Sequence, residues 1–334
     1  MKKMSVRKAT VGGAGQGRSA TFPFPTLRAQ GTDGAISYFD HGQGPAVLFV
    51  HGLVGDFTHF EHVAAKLAMS GFRVLGVDLP GCGDSHKRRG SHSISLYARD
   101  VLTLLEELGI DEVSLVGHSA GGAIATEVAL RAPRRVSHLA LLSSAGLRRY
   151  PPATQLLARA FIRPWLLEKT LERLAIPLLD RVLVEDNEYT RKFVRDALDR
   201  PVQPSSGEMA RVMADLVPEL VVPSVLDRAQ HLSMPVMLIW GDADGLVPAE
   251  SVREFRRLSP SAKFVMLPEC GHMPMIERPD VVARELGRFL WVRPESAVPG
   301  LVDNAHDRQG IVDPVSNDVQ ASDEAARPRT PRAA

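Results

Sequence analysis

An apolar run, Val113-Ser114-Leu115-Val116, breaks off at Gly117-His118-Ser119-Ala120-Gly121-Gly122, and a helical pattern starts at once. A strand that passes straight into a helix forces its junction residue into a cramped backbone. Only positions without Cβ fit beside such a residue. The G-x-S-x-G spacing therefore puts Ser119 at a strained strand-to-helix turn, its hydroxyl lifted clear of the sheet. The unpaired N–H groups of the following helix then point at whatever that hydroxyl meets. A plain small-residue turn has the same spacing, so the rest of the chain must decide.

Around this turn, short apolar runs alternate with helical periodicity. Ala35–Phe39, Ala46–Val50, Phe72–Asp78, Val136–Leu142, Pro235–Trp240 and Ala262–Leu267 read as strands. Helical patterns cover Thr58–Ser70, Ile94–Leu108, the stretch to Arg131, Val252–Leu258 and Pro279–Leu290. His41-Gly42-Gln43-Gly44 reads as a hairpin turn. The alternation predicts an α/β chain with a mostly parallel central sheet and helices on both faces. It stops after Leu142. Residues 147–229 carry helical periodicity and no strand pattern, which makes them an insertion into a core formed by 32–146 and 230–292. Residues 1–31 read as a mobile arm, with Phe22 and Phe24 packing on the domain. The tail 293–334 has no aromatic residue and is rich in Pro, Asp, Ala and Arg, so disorder is expected there.

Composition excludes several classes. The net charge is +1, which gives no electrostatic footprint for nucleic acid. Cys82 and Cys270, the only two cysteines, lie far apart, which fits a reducing compartment and suggests a cytoplasmic protein. No apolar run reaches the ~20 residues of a transmembrane helix, and polar residues follow Met1-Lys2-Lys3 where a secretory signal would be apolar. The basic N-terminal arm lacks amphipathic periodicity, so membrane contact is not expected.

An attacking serine needs a base, and the base needs an orienting group. Trp240-Gly241-Asp242-Ala243-Asp244-Gly245 and Glu269-Cys270-Gly271-His272 both fall just past the carboxyl ends of predicted strands, as Ser119 does. In an open α/β sheet the functional crevice lies on that edge. Serine, carboxylate and imidazole thus reach one rim in the order Ser…Asp…His.

These segments, with His51-Gly52, Asp78-Leu79-Pro80-Gly81-Cys82-Gly83-Asp84-Ser85 and Val247-Pro248, resemble the α/β-hydrolase superfamily over residues 32–292. The likeness is to its capped, esterase- and lipase-like serine hydrolases. It implies a helical cap inserted between strands 6 and 7. It further implies Ser119 as nucleophile, Asp244 as acid, His272 as base, and an oxyanion hole from the Leu53 and Ala120 N–H groups. It implies no cofactor and no metal. The substrate expected is a small apolar carboxylic ester, cleaved through an acyl-enzyme. Carbon–carbon bond hydrolases, thioesterases and acyltransferases share the triad, and some relatives are ligand-binding receptors that catalyse nothing. A membrane-surface lipase, using the basic N-terminal arm and the apolar cap as its contact, is a further alternative.

Other residues have plainer readings. Asp242 competes with Asp244, and the loser is expected to brace the loop. The resemblance gives His51 and His118 a structural role, shaping the two loops. His59 and His62 share a helix face without a metal motif. Asp78 and Asp84 brace a loop, and the cysteines pack. Leu156, Phe161, Trp165, Leu166 and Leu174 belong either to ordinary core or to an acyl pocket.

Overall fold

The computed structural model describes residues 22–53, 55–199, 206–222 and 225–292. They fall within one contact unit, Met1–Pro294. The strands are β1 (Leu27–Gln30), β2 (Ala35–His41), β3 (Ala46–Val50), β4 (Arg73–Val77), β5 (Val113–His118), β6 (Val136–Leu142), β7 (Val236–Gly241) and β8 (Lys263–Leu267). The helices are α1 (Glu61–Met69), α2 (Ile94–Glu107), α3 (Ala120–Arg131), α4 (Pro152–Phe161), α5 (Pro164–Val182), α6 (Glu188–Asp199), α7 (Ser206–Leu220), α8 (Glu250–Leu258), α9 (Pro274–Glu277) and α10 (Pro279–Leu290).

One sheet runs in the order β1-β2-β4-β3-β5-β6-β7-β8. β1 and β2 are antiparallel to their neighbours, and the rest of the sheet is parallel. The central strands are buried on both faces, as their unbroken apolar runs require. Successive side chains of β3 feed opposite cores. Leu48 and Val50 join the α2 and α3 side, whereas Val47 and Phe49 join the α1 and α10 side.

Two sequence expectations need correction. His41–Gly44 is no hairpin turn, because β4 lies between β2 and β3. The connection runs tight against the backbone that opens β4. At Gly44, with φ +119, a Cβ would stand 2.2 Å from the Gly71 carbonyl oxygen. The domain also begins earlier than residue 32. β1 pairs with β2 through Leu27↔Tyr38 to Gln30↔Ala35. Phe22 packs 5.4 Å from Phe39 and 5.1 Å from Phe57, and Phe24 stacks on Phe39 at 5.1 Å. Leu27–Gln30 buries no side chain fully, which is why an apolar pattern fails to announce it. Residues 1–21 and the tail 293–334 lie outside the described residues.

Four helices, α4–α7, separate β6 from β7, with no strand among the described residues between them. α7 docks through acidic side chains on the backbone leading into α2. Asp215 accepts from His92 N at 2.8 Å, and Glu219 accepts from Ile94 N at 2.8 Å. Carboxylates at a helix N-terminus are favoured by its unpaired N–H groups and dipole. α4 and the first turn of α5 behave differently. Leu156, Phe161, Trp165 and Leu166 are 68%, 65%, 62% and 38% exposed, so they form neither a core nor an enclosed pocket. The Leu174 side chain lies outside the described residues.

If the domain begins at Phe22, Phe24→Ala should cost about 2–4 kcal/mol, as for other large-to-small core changes. Urea unfolding followed by tryptophan fluorescence measures it. A loss below about 0.5 kcal/mol, the range of surface substitutions, would mean that this segment does not belong to the core.

Candidate active site

Ser119 closes β5 and caps α3 with φ 52° and ψ −120°. A positive φ is costly for serine and persists only where surrounding bonds fix it. Here Ser119 N donates to Leu142 O at 3.0 Å, while Ser119 O accepts from Gly122 N at 3.0 Å and Ala145 N at 2.9 Å. The helix start lies hard against the end of β3. A Cβ on Gly121 would stand 2.2 Å from Val50 O, so no larger residue fits without moving the helix.

His272 and Asp244 meet. His272 Nδ1 lies 2.9 Å from Asp244 Oδ2 and 3.1 Å from Oδ1, with both residues buried. A carboxylate accepts, so Nδ1 carries the proton and Nε2 is left as a base. Asp244 Oδ1 also accepts from Leu246 N and Val247 N, each at 2.9 Å. The loop-bracing role expected of the losing aspartate is therefore Asp244's own, and Asp242 is exposed. Ser119 Oγ and His272 Nε2 share no hydrogen bond in this structure. His118 and His272 lie side by side, with ring centroids 4.9 Å apart.

The early His-Gly loop stands beside the serine. A Cβ on Gly52 would be 3.0 Å from Ser119 Cβ, which puts Leu53 next to the same turn. Ala120, as the first residue of α3, has no intrahelical acceptor for its N–H. His51 fixes the loop. Leu79 N donates to His51 Nε2 at 3.0 Å, so Nδ1 holds the proton and donates to Gly52 O at 2.8 Å. Burial lowers the His51 pKa to about 4, which keeps this two-way bond neutral. His118 is likewise held well below the ordinary histidine range, first by burial and then by His272. Its Nε2 donates to the His272 carbonyl at 2.8 Å.

Asp78 braces its loop by accepting from Phe57 N at 3.1 Å and Asp84 N at 2.8 Å. The Asp84 side chain itself is exposed. Burial pushes both Cys82 and Cys270 up, so neither thiol is a ready nucleophile. His59 packs on Phe193 and His62 on Tyr189, so both face α6. Among the described residues no group of three ligands could hold a metal.

Glu277 escaped the sequence reading. It is 1% exposed and accepts four backbone N–H groups. Gly271 donates at 3.0 Å and Met273 at 3.3 Å, one on each side of His272. Val184 and Glu185, just past α5, donate at 2.9 and 3.0 Å. His272 N donates to Val182 O at 2.8 Å. The end of α5 therefore forms one wall of the histidine loop, and Arg181 Nε reaches Gly245 O at 3.2 Å. Nothing in a linear pattern marks Glu277, since its partners are backbone groups. Two clefts of about 280 Å³ lie away from Ser119. One opens at Ala46, Arg73 and Glu112, the other at Ile94, Glu127 and Arg228.

Two outcomes follow. Glu277→Gln replaces an acceptor oxygen with a donor and strands buried N–H groups. It should cost about 2–4 kcal/mol in urea unfolding, and a neutral result would remove the clamp. His51 stays neutral in the folded protein until about pH 4, whereas the unfolded chain takes up its proton near 6.5. The unfolded state binds more protons in that window, so stability falls as pH drops through it, by about 3 kcal/mol for this residue. Urea midpoints across this range should fall less steeply for His51→Gln than for wild type. Parallel curves would show that His51 is not the source.

The sequence pattern of the alpha/beta hydrolase fold family matches residues 45–279. A curated relative, Lipase 1 of Psychrobacter immobilis, is 27% identical over 269 residues, covering 75% of this chain and 79% of its own. The 2-hydroxy-6-oxo-6-phenylhexa-2,4-dienoate hydrolase of Burkholderia cepacia is 28% identical over 287 residues, covering 81% and 97%. Among solved structures, a thermophilic esterase from Thermogutta terrifontis superposes with a TM-score of 0.64 at 24% identity, covering 80% and 98%. That last likeness speaks for the fold. With its strained serine turn, its parallel sheet and this match, the chain belongs to the α/β-hydrolase family.

Proposed function

We propose that the protein is a serine hydrolase that cleaves a carboxylic ester through an acyl-enzyme. The observation that carries the reading is the strained Ser119 turn at one strand end, with the Asp244–His272 pair at 2.9 Å on the neighbouring rim. His272 Nε2 takes the Ser119 proton as Oγ attacks the ester carbonyl carbon. The resulting oxyanion sits against the Leu53 and Ala120 N–H groups, where one such donor is typically worth about 3 kcal/mol. His272 then gives its proton to the leaving alkoxide. Water, deprotonated by the same nitrogen, releases the acid and restores the serine. The hydrogen bond missing between Ser119 and His272 is no obstacle, because such contacts often tighten only when substrate binds.

In this reading α4–α7 form the cap. The lipase relative supports an ester, and the dienoate hydrolase relative keeps a carbon–carbon bond as the alternative. Alanine after Ser119 and histidine before it lean towards esterases and lipases of the family. An ester substrate calls for no metal or organic cofactor.

A fluorophosphonate probe should label the wild type and leave Ser119→Ala unlabelled. A well-folded wild type that takes no label would instead favour a receptor. On p-nitrophenyl esters, Asp244→Asn should lower kcat by about 10⁴-fold, while Asp242→Asn changes it by less than about tenfold. The reverse ranking would reassign the acid.

A further inference from the structure

Helices on a protein surface normally turn their apolar stripe inward. α4 does the opposite. Ala153, Leu156, Leu157, Ala160 and Phe161 all face solvent, and Ala158 is the only buried residue of the helix. The turn into α5 continues the surface with Trp165 and Leu166. Among the described residues, half of the large, exposed apolar side chains fall between Leu156 and Leu166. Scattered exposed leucines need no explanation, but a contiguous patch does.

Charge says what covers it. Between residues 148 and 173 stand Arg148, Arg149, Arg159, Arg163, Lys169 and Arg173, against only Glu168 and Glu172, and of the six Arg149 is paired with Asp227 at 2.6 Å. The whole chain carries a net +1, so this corner is far more basic than the molecule. Arg159, Arg163, Lys169 and Arg173 are exposed around the apolar side chains. Lys169 lies 5.8 Å above the Trp165 ring, a basic group paired with an interfacial aromatic. A second copy of the same corner would bring like charges together. An anionic lipid surface would meet both features at once.

We propose that the α4–α5 corner docks on the surface of anionic lipid bilayers, its apolar side chains entering the acyl boundary and its basic side chains meeting the headgroups. The sequence expectation of no membrane contact rested on the N-terminal arm's lack of amphipathic periodicity, whereas this surface lies in the inserted helices, the other contact which that alternative named. No described helix is long and apolar enough to cross a membrane, so the contact lies in the plane of the interface. The proposal stands whether or not Ser119 is a nucleophile.

The test is sedimentation of the full chain with vesicles, either phosphatidylcholine alone or rich in phosphatidylglycerol. The wild type should pellet with the anionic vesicles, weakly with the neutral ones, and less at high salt. Phe161→Ser and Trp165→Ser should each weaken binding by about tenfold or more. Arg163→Glu and Lys169→Glu, at exposed positions that leave folding intact, should each weaken it by roughly fivefold or more. Thermal melts of all four variants separate lost docking from lost fold. Hydrolysis of a soluble p-nitrophenyl ester, where the wild type shows it, should not change. Three results would each overturn the proposal. One is a wild type that ignores phosphatidylglycerol vesicles. Another is a set of folded variants that bind as the wild type does. The third is a dimer, seen by light scattering and dissolved by Phe161→Ser, with no vesicle binding; that would make a second copy the occupant.

Discussion

A close backbone approach between the start of α3 and the end of β3 sets everything at the rim. A Cβ on Gly121 would stand 2.2 Å from Val50 O and 2.4 Å from His51 O. With the helix that near, Ser119 has no room for an ordinary turn and takes φ 52°. The same approach sets the start of α3 beside the His51-Gly52 loop. Strain at the serine and the nearness of the His51-Gly52 loop to the serine turn are therefore one steric fact. The backbone bonds from Leu142, Gly122 and Ala145 hold the strained residue in place.

Around that contact the rim is assembled from buried polar groups that each satisfy backbone. His51 ties the loop after β3 to the end of β4, and His118 ties the serine turn to the His272 carbonyl. Both are kept neutral by burial, so each can donate at one nitrogen while the other stays bare. Asp78, Asp244 and Glu277 do the same work with carboxylates. Each collects N–H groups that its own loop could not otherwise satisfy, which an interior position demands. A histidine loop braced this way spends little of its freedom on wrong orientations, the condition for a preorganised site.

What the chain reveals before folding follows from how each feature is encoded. The parallel strands are legible because burial on both faces demands unbroken apolar runs, as in Ala46–Val50 and Pro235–Trp240. The segments that carry Asp244 and His272 were legible through glycine and turn spacing at strand ends, while the choice of Asp244 over Asp242 came only from the family resemblance. β1 was not, since an edge strand exposed on both sides carries no apolar pattern. Strand order was lost at His41–Gly44, because tight turn residues serve a crossover as well as a hairpin. Glu277 was invisible for a different reason. Its four partners are backbone N–H groups, and backbone is the same at every residue. The direction of the α4 stripe was also unreadable, because periodicity gives the existence of an apolar face and not what it meets.

The inserted helices divide by how they are held. The end of α5, with α6 and α7, is fastened to the core. Val182, Leu183, Val194, Val212 and Leu216 are buried, and Glu277, Asp215 and Glu219 bond across the junctions. α4 and the start of α5 bury little, and Ala158 is the one α4 side chain turned inward. Local stability follows buried contacts, so the outer corner is the part that shifts at least cost. His272 is gripped from the other end, through Val182 O and through the carboxylate shared with Val184 and Glu185. The weakly buried α4 corner is thus separated, along the length of α5, from the element that holds the imidazole. Rearrangement at the outer surface can proceed while the Asp244–His272 geometry stays fixed.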